Sequence, residues 1–278
     1  VCNDGPMTKP VEDIQMDIIA RPQTDRVVWV EPTIKRVRAL FGGRTVVDSR
    51  RTLILFEKGH LPVYYFPLED VDRDLLEPSA THTTCPRKGE ASYWSVRAGD
   101  RVAEDAVWNY PEPIDDCPDI SGHVAFYWSK MDSWWEEDDQ VFKHARDPYH
   151  RVDVLRSSRH VRVEVDGEVL AETDRPLLLL ETGLPPRWYV PRADVRFDLL
   201  TPTDTESTCP YKGVAGYFTA RVGDTEYEDI AWSYVTPIPE CPKVEQAICF
   251  FNERVDMTVD GEDQERPQTH WHTTVEDR

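Results

Sequence analysis

No apolar run in this 278-residue sequence approaches the roughly 20 residues that cross a bilayer as a helix, so no helical membrane span is expected in it. Positive charge is scarce: 32 Lys and Arg stand against 52 Asp and Glu, a formal net charge of −20. That balance repels phosphate backbones and anionic lipid, and it argues against nucleic acid and membrane as partners. Glycine numbers only 13, and nowhere does it fall into Gly-x-x-x-x-Gly-Lys, Gly-x-Gly-x-x-Gly or Gly-x-Ser-x-Gly. Phosphate-loop, dinucleotide-dependent and serine-hydrolase readings therefore lack their usual warrant. Long amphipathic helices are missing too, and 22 prolines interrupt the candidates. Val1 to Ala20 carries acids where a signal peptide would have an apolar core. A cytoplasmic protein with six reduced thiols and no cofactor is the expectation.

What the sequence does contain is a repeat. Thr84-Cys85-Pro86-Arg87-Lys88-Gly89 returns as Thr208-Cys209-Pro210-Tyr211-Lys212-Gly213, and 209 − 85 = 124. The same offset, without gaps, carries Glu57 onto Glu181, Tyr65 onto Tyr189, Asp70 onto Asp194, Tyr93 onto Tyr217, Trp108 onto Trp232, Tyr110 onto Tyr234 and Cys117 onto Cys241. A period this long matches an independent domain rather than a solenoid unit. The expected organisation is an N-terminal arm (1–26), a first repeat domain (27–139), a linker (140–150), a second repeat domain (151–263) and a polar tail (264–278).

Within each repeat the dominant hydrophobic period is two. Val161, Val163 and Val165 alternate with Arg162 and Glu164 ahead of Asp166-Gly167, a hairpin signature, and Val37, Ala39 and Phe41 run into Gly42-Gly43 in the same way. Val255, Met257 and Val259 alternate before Asp260-Gly261, while Leu53 to Phe56 and Leu177 to Leu180 read as short buried strands. Only Asp70 to Leu76 and Asp194 to Leu200 could form a turn or two of helix. The fold class expected is mainly β: two homologous compact domains of short antiparallel strands with few short helical turns.

The ordered set Glu57, Gly59, Tyr65, Pro67, Asp70, Val71, Thr84 to Gly89, Ala91, Tyr93, Trp108, Tyr110 and Pro113, with every counterpart present in the second copy, resembles the family catalogued as domain of unknown function 427. The resemblance spans both repeats. It implies a compact β domain, at times carried in tandem, and no settled activity. A nucleotidyltransferase-like label attached to that family would require paired acids for divalent metal. Asp70-Val71-Asp72 offers such a pair, but the second copy reads Asp194-Val195-Arg196.

Several chemistries compete for the recurring residues. Cys85 beside Lys88, and Cys209 beside Lys212, could form a stabilised thiolate, or could be a buried thiol in a turn shaped by Pro and Gly. No His recurs at a matching position to serve as base. Lys88 and Lys212 could pair with Asp70 and Asp194, while Glu57 and Glu181 also precede the motif in both copies; the recurring Lys, Asp and Glu would form either the polar floor of a pocket or a structural ion-pair network. Tyr65, Tyr93, Trp108 and Tyr110, with Tyr189, Tyr217, Trp232 and Tyr234, suit a planar ligand or a packed core. His82, Cys85, Cys117 and His123 have zinc-ligand character, but the second copy keeps only the cysteines, and no metal site is expected.

The leading expectation is a protein that binds a small molecule in an aromatic-lined pocket of each domain, through Glu57, Tyr65, Asp70, Cys85, Lys88, Tyr93, Trp108, Tyr110, Tyr189, Tyr217, Trp232 and Tyr234. The alternative is a cofactor-independent enzyme with Lys212 or Cys209 as nucleophile or polarising group and Glu181 or Asp194 as general acid or base. A non-catalytic scaffold is the third reading. Pairing between the two domains inside one chain makes a monomer the expected state.

Overall fold

The computed structural model describes residues 25–269. Most of the expected arm, and the end of the tail with His270-Trp271-His272, lie outside the described residues. The chain divides into two compact units: one runs to Gln140 and takes in Asp147–Tyr149, the other joins Val141–Arg146 to everything from His150 onward. The stretch expected as a linker is thus shared out between them.

In the first unit the strands are β1 (Val28–Pro32), β2 (Val37–Phe41), β3 (Arg44–Ser49), β4 (Leu53–Glu57), β5 (Val63–Pro67), β6 (Leu76–Cys85), β7 (Gly89–Ala98), β8 (Arg101–Asn109), β9 (His123–Phe126), β10 (Ser133–Glu136) and β11 (Asp139–Val141). They form a seven-stranded sheet, β1-β4-β5-β9-β8-β7-β6, and a four-stranded sheet, β11-β10-β2-β3. The second unit repeats this plan with β12 (Val152–Arg156), β13 (Val161–Val165), β14 (Glu168–Thr173), β15 (Leu177–Glu181), β16 (Arg187–Val190), β17 (Leu200–Cys209), β18 (Gly213–Val222), β19 (Thr225–Ser233), β20 (Ile248–Phe250), β21 (Asp256–Val259) and β22 (Glu262–Asp263). Its sheets run β12-β15-β16-β20-β19-β18-β17 and β14-β13-β21-β22. The fold is mainly β and doubled, as the repeat and the period of two require; among the described residues helix is confined to single 3-10 turns such as Leu68–Asp70, Arg73–Leu75 and Arg192–Asp194.

Local chemistry accounts for the hairpins. Asp166 and Gly167 both adopt positive φ, 49° and 79°, as do Gly42 and Gly43 at 57° and 73°, the twist a two-residue turn needs between right-twisted strands. The three valines of β13 are buried and the residues between them half-buried.

One strand departs from expectation. Of Leu177 to Leu180 only Leu179 is fully buried, and Leu180 is 38% exposed. Its counterpart Phe56 lies opposite Trp29 and stacks on it at 5.0 Å, whereas Leu180 lies opposite Asp153, which gives no apolar cover.

The seven-stranded sheet of the second unit is apolar on both faces. Val161, Val163, Leu170, Trp188, Val190, Ile230, Ala231, Ile248, Phe250 and Met257 form the core it shares with the four-stranded sheet. Alternate residues of the same strands, Tyr189, Trp232 and Cys249, join Tyr217, Tyr234, Cys241, Val244 and Phe251 in a separate cluster. Strand alternation thus sends the recurring aromatics away from the main core. The first unit builds the matching cluster from Tyr65, Tyr93, Tyr110, Cys117, Ile120 and Ala125, with Cys85 and Trp108 packed against it.

Candidate functional site

The Cys-Pro-x-Lys-Gly turn joins β6 to β7, and β17 to β18, and is closed by a Lys88 N–H to Cys85 carbonyl bond of 3.2 Å. Gly89 (φ +109°) and Gly213 (φ +103°) follow it; a Cβ on Gly89 would sit 3.1 Å from the Glu112 carbonyl oxygen, so glycine is required both by conformation and by space. The close approach has a use. Ile114 donates to the Lys88 carbonyl at 3.2 Å, and Cys117 to the Ile114 carbonyl at 2.9 Å; Ile238, Lys212 and Cys241 repeat this at 3.1 and 3.0 Å. One loop therefore fixes both recurring cysteines relative to the lysine.

The lysines do not pair with Asp70 and Asp194, one of the pairings the sequence leaves open. Lys88 binds Glu57 Oε2, and Lys212 binds Glu181 Oε2 at 2.5 Å, with all four side chains close to fully buried. Asp70 instead accepts from Ser49 (2.7 Å) and Arg51 (2.5 Å), and Asp194 from Thr173 (2.7 Å) and Arg175 (3.1 Å). The physical reason is reach and charge: each aspartate ends its 3-10 turn beside an arginine of the loop that precedes β4 or β15 and is already neutralised there, while β4 and β15 deliver their terminal Glu to the lysine turn.

The second oxygen of each glutamate is held differently in the two copies. In the first, Arg87 donates to Glu57 Oε1 at 3.0 Å, with His60 3.8 Å from the same oxygen. In the second, Tyr211 replaces Arg87; His150 stacks on its ring at 3.9 Å and reaches Glu181 Oε1 at 3.0 Å. Burial pushes the Glu181 carboxyl up, but His150 and Lys212 outweigh it and hold the group below the ordinary glutamate value. For Lys212, burial favours the neutral amine, yet Cys209 and Glu181 raise it above the usual lysine range. These directions keep the pair ionised at neutral pH, and so count against Lys212 as a neutral nucleophile and Glu181 as a proton donor.

The recurring aromatics surround this centre as a hydrogen-bonded group. Trp108 Nε1 donates to the Tyr65 hydroxyl at 3.3 Å with the rings edge-to-face at 86°, and Trp232 and Tyr189 repeat this at 3.2 Å and 87°. Tyr93 shares a hydrogen bond with Thr83 (2.8 Å), and Tyr217 with Ser207 (2.7 Å). Tyr110 lies under the Lys88 ammonium, 5.9 Å from it, in the cluster against which Cys85 packs. Burial pushes the Tyr65, Tyr110, Tyr189 and Tyr234 hydroxyls far up and the Cys241 thiol up to about 11, so these groups stay protonated. Cys209 packs against the corresponding cluster of the second unit.

The structure thus brings together Glu57, Tyr65, Cys85, Lys88, Tyr93, Trp108 and Tyr110, and likewise Glu181, Tyr189, Cys209, Lys212, Tyr217, Trp232 and Tyr234; Asp70 and Asp194 belong to separate ion pairs. Among the described residues no group of three or more His, Cys, Asp or Glu side chains is arranged to hold a metal ion; His82 lies 3.5 Å from Glu90 and His123 is partly buried.

In the first unit a cavity of about 590 Å³ abuts the centre, lined by Arg26, Arg87, Asp115, Asp116 and Cys117 among others. Reading the repeat could not find Arg87 or His150. Arg87 is a position where the copies differ, and His150 falls 124 residues after Arg26, so neither recurs.

The sequence pattern of the family described as Domain of unknown function (DUF427) matches the chain twice, over residues 29–137 and 153–261. No curated protein matches it.

Proposed function

We propose, for a chain that belongs through both of its repeats to the family described as Domain of unknown function (DUF427), that each domain is a small-molecule-binding module with its Glu–Lys pair as the polar floor. One observation carries this reading. The cavity of about 590 Å³ in the first domain is walled by Arg87, which is itself hydrogen-bonded to Glu57, so a ligand there meets a charged group backed directly by the duplicated centre. In the second domain Tyr211 and His150 stand at the corresponding place, so the two copies take different ligands.

The binding side chains we assign are Glu57, Lys88, Arg87 and Cys117 in the first domain and Glu181, Lys212, His150 and Tyr211 in the second, with the aromatic groups as rigid support. A cytoplasmic monomer with reduced thiols fits this reading; the five cysteines among the described residues are free thiols.

A thermal-shift screen of the full chain against a metabolite collection, run beside Arg87→Tyr, tests the reading. That variant installs the second copy's residue at an exposed position. A compound present at about 100 times its Kd stabilises by about 2.7 kcal/mol, several degrees for domains of this size. We expect at least one compound whose stabilisation is lost in Arg87→Tyr. If every stabilising compound acts equally on both proteins, or none is found, the scaffold reading replaces this one.

A catalytic reading has one observation in its favour: the Cys209 sulfur and the buried Lys212 ammonium interact electrostatically across one turn, which sets a nucleophile beside a cation. Selective modification of Cys209 by iodoacetamide, slowed in Lys212→Met, would support it.

A further inference from the structure

The second domain holds another cavity, of about 440 Å³, lined by Arg192, Pro202, Gly216, Phe218, Ser233 and Val235 among others. Its floor contains an unspent polar group. Ser233 is 2% exposed, and its buried hydroxyl has no hydrogen-bond partner among the described residues, a situation that native interiors avoid unless the group has another use. The same position in the first domain is Asn109, whose buried Oδ1 is likewise unpartnered. Both copies therefore leave a polar atom unsatisfied at this place.

The lining differs between the copies. Gly216 lies directly across the β18–β19 ladder from Ser233; in the first domain the same cross-strand pair is Ser92 and Asn109. A Cβ built on Gly216 would meet nothing within 4 Å, so that side of the ladder is open. At equivalent positions the first domain has Trp94 for Phe218 and Leu68 for Arg192. Of the seven lining positions that differ, Gly216, Phe218 and Ser233 carry smaller side chains than Ser92, Trp94 and Asn109, Thr203 and Gln246 larger ones than Ser79 and Gly122, Val235 stands for Pro111, and Arg192 introduces a cation. Arg192 lies over the Phe197 ring, 4.1 Å from its centroid, and forms no ion pair with an acid among the described residues. It thus presents a guanidinium with hydrogen-bonding capacity to spare, in a protein of net charge −20.

We propose that this cavity is a second, separate ligand site that takes a small carboxylate with a planar apolar body and a second hydrogen-bonding group. Arg192 binds the carboxylate through its planar fork. Pro202, Phe218 and Val235 cover the apolar body, and Ser233 meets the second polar group at the floor. A single cation in a strongly acidic protein suits a monoanion rather than a phosphate ester. The site borders the Glu181–Lys212 centre through Tyr217 but includes neither of those two residues, and neither reading depends on the other.

The probes are 4-hydroxybenzoate, benzoate, which lacks the hydroxyl, and phenol, which lacks the carboxylate. Binding to the full chain is followed through the backbone amide signals of Gly216, Phe218, Ser233 and Gln246. We expect 4-hydroxybenzoate to move these signals saturably, phenol to leave them unmoved at the same concentration, and Arg192→Gln to weaken binding at least about tenfold, the scale of one lost charge-assisted pair. Ser233→Ala should reduce the affinity for 4-hydroxybenzoate to that of benzoate. The double variant Gly216→Ser, Ser233→Asn restores the pair that the first domain already accommodates; it should remain folded, with its other amide signals in place, and should lose binding. Absence of saturable shifts at these four amides, or equal binding to Arg192→Gln, overturns the proposal.

Discussion

At the scale of single residues, Lys212 illustrates what a buried charge requires. Its ammonium and the Glu181 carboxylate are each more than nine-tenths removed from solvent, where either charge alone would be costly. Lys212→Met should therefore destabilise the second domain by about 3–5 kcal/mol, because it strands Glu181. Adding Glu181→Gln should recover most of that loss; chemical denaturation of the two variants against the parent decides it, and equal loss in both would mean that the pair itself stabilises. The same glutamate sets an acid limit. Its folded-state pKa lies below its unfolded value, so the stability it contributes is complete above about 4.5 and falls as pH drops through the folded value. Cys241 sets the opposite limit. A thiol whose pKa rises from 9.0 to about 11 contributes fully below 9 and is lost as pH rises toward 11. Melting temperature measured across pH should decline at both ends, and the alkaline decline should shrink in Cys241→Ala. The identities in this centre were legible from the sequence because Glu, Lys, Cys and Tyr recur at one offset. Their pairing was not, since Glu57 and Asp70 recur equally well and only the fold says which reaches Lys88.

At the scale of elements, hairpins whose turn residues carry their own conformational preference could be read directly: Asp166-Gly167, Gly42-Gly43 and Asp260-Gly261 all adopt the positive φ expected of them. The Cys-Pro-x-Lys-Gly turn was legible as a turn, but its coupling to the loop at 112–117 was not, because nothing in the local pattern records that Gly89 approaches the Glu112 carbonyl. Gly89→Ala places a Cβ in the left-handed region and close to that oxygen, and should cost about 1–3 kcal/mol. Gly59→Ala, at φ +83° but with open space around it, should cost only the conformational part, about 1 kcal/mol. Comparing the two by equilibrium unfolding separates strain from crowding. What the period of two could not reveal is that β16, β19 and β20 bury both of their faces. Alternation within an apolar run gives no contrast, so Tyr189, Trp232 and Cys249 could not be assigned to a layer different from that of Trp188, Ala231 and Ile248.

At the scale of the whole molecule, duplication leaves each copy free to change what the other retains. Arg87 against Tyr211, and the pair Ser92 and Asn109 against Gly216 and Ser233, alter side chains that line a cavity while the Glu–Lys pair, the turn and the edge-to-face Tyr–Trp contacts stay as they are. The boundary between copies follows the same logic. Within the second unit, His150 stacks on Tyr211 and binds Glu181, Arg146 binds Glu240 at 2.9 Å, and Ala145 is buried, although all three precede the strand where the repeat resumes. A second half beginning at Val141 should therefore unfold as one cooperative transition, while one beginning at Val152 loses a stacked ring pair, a partner of a buried carboxylate and an apolar contact. The shorter protein should be less stable by about 2–4 kcal/mol, the sum of a severed hydrogen bond to a charged group and the lost aromatic contact. Calorimetry of the two fragments measures the difference. Equal stability would put the end of the domain at the repeat boundary and make the preceding residues a plain tether.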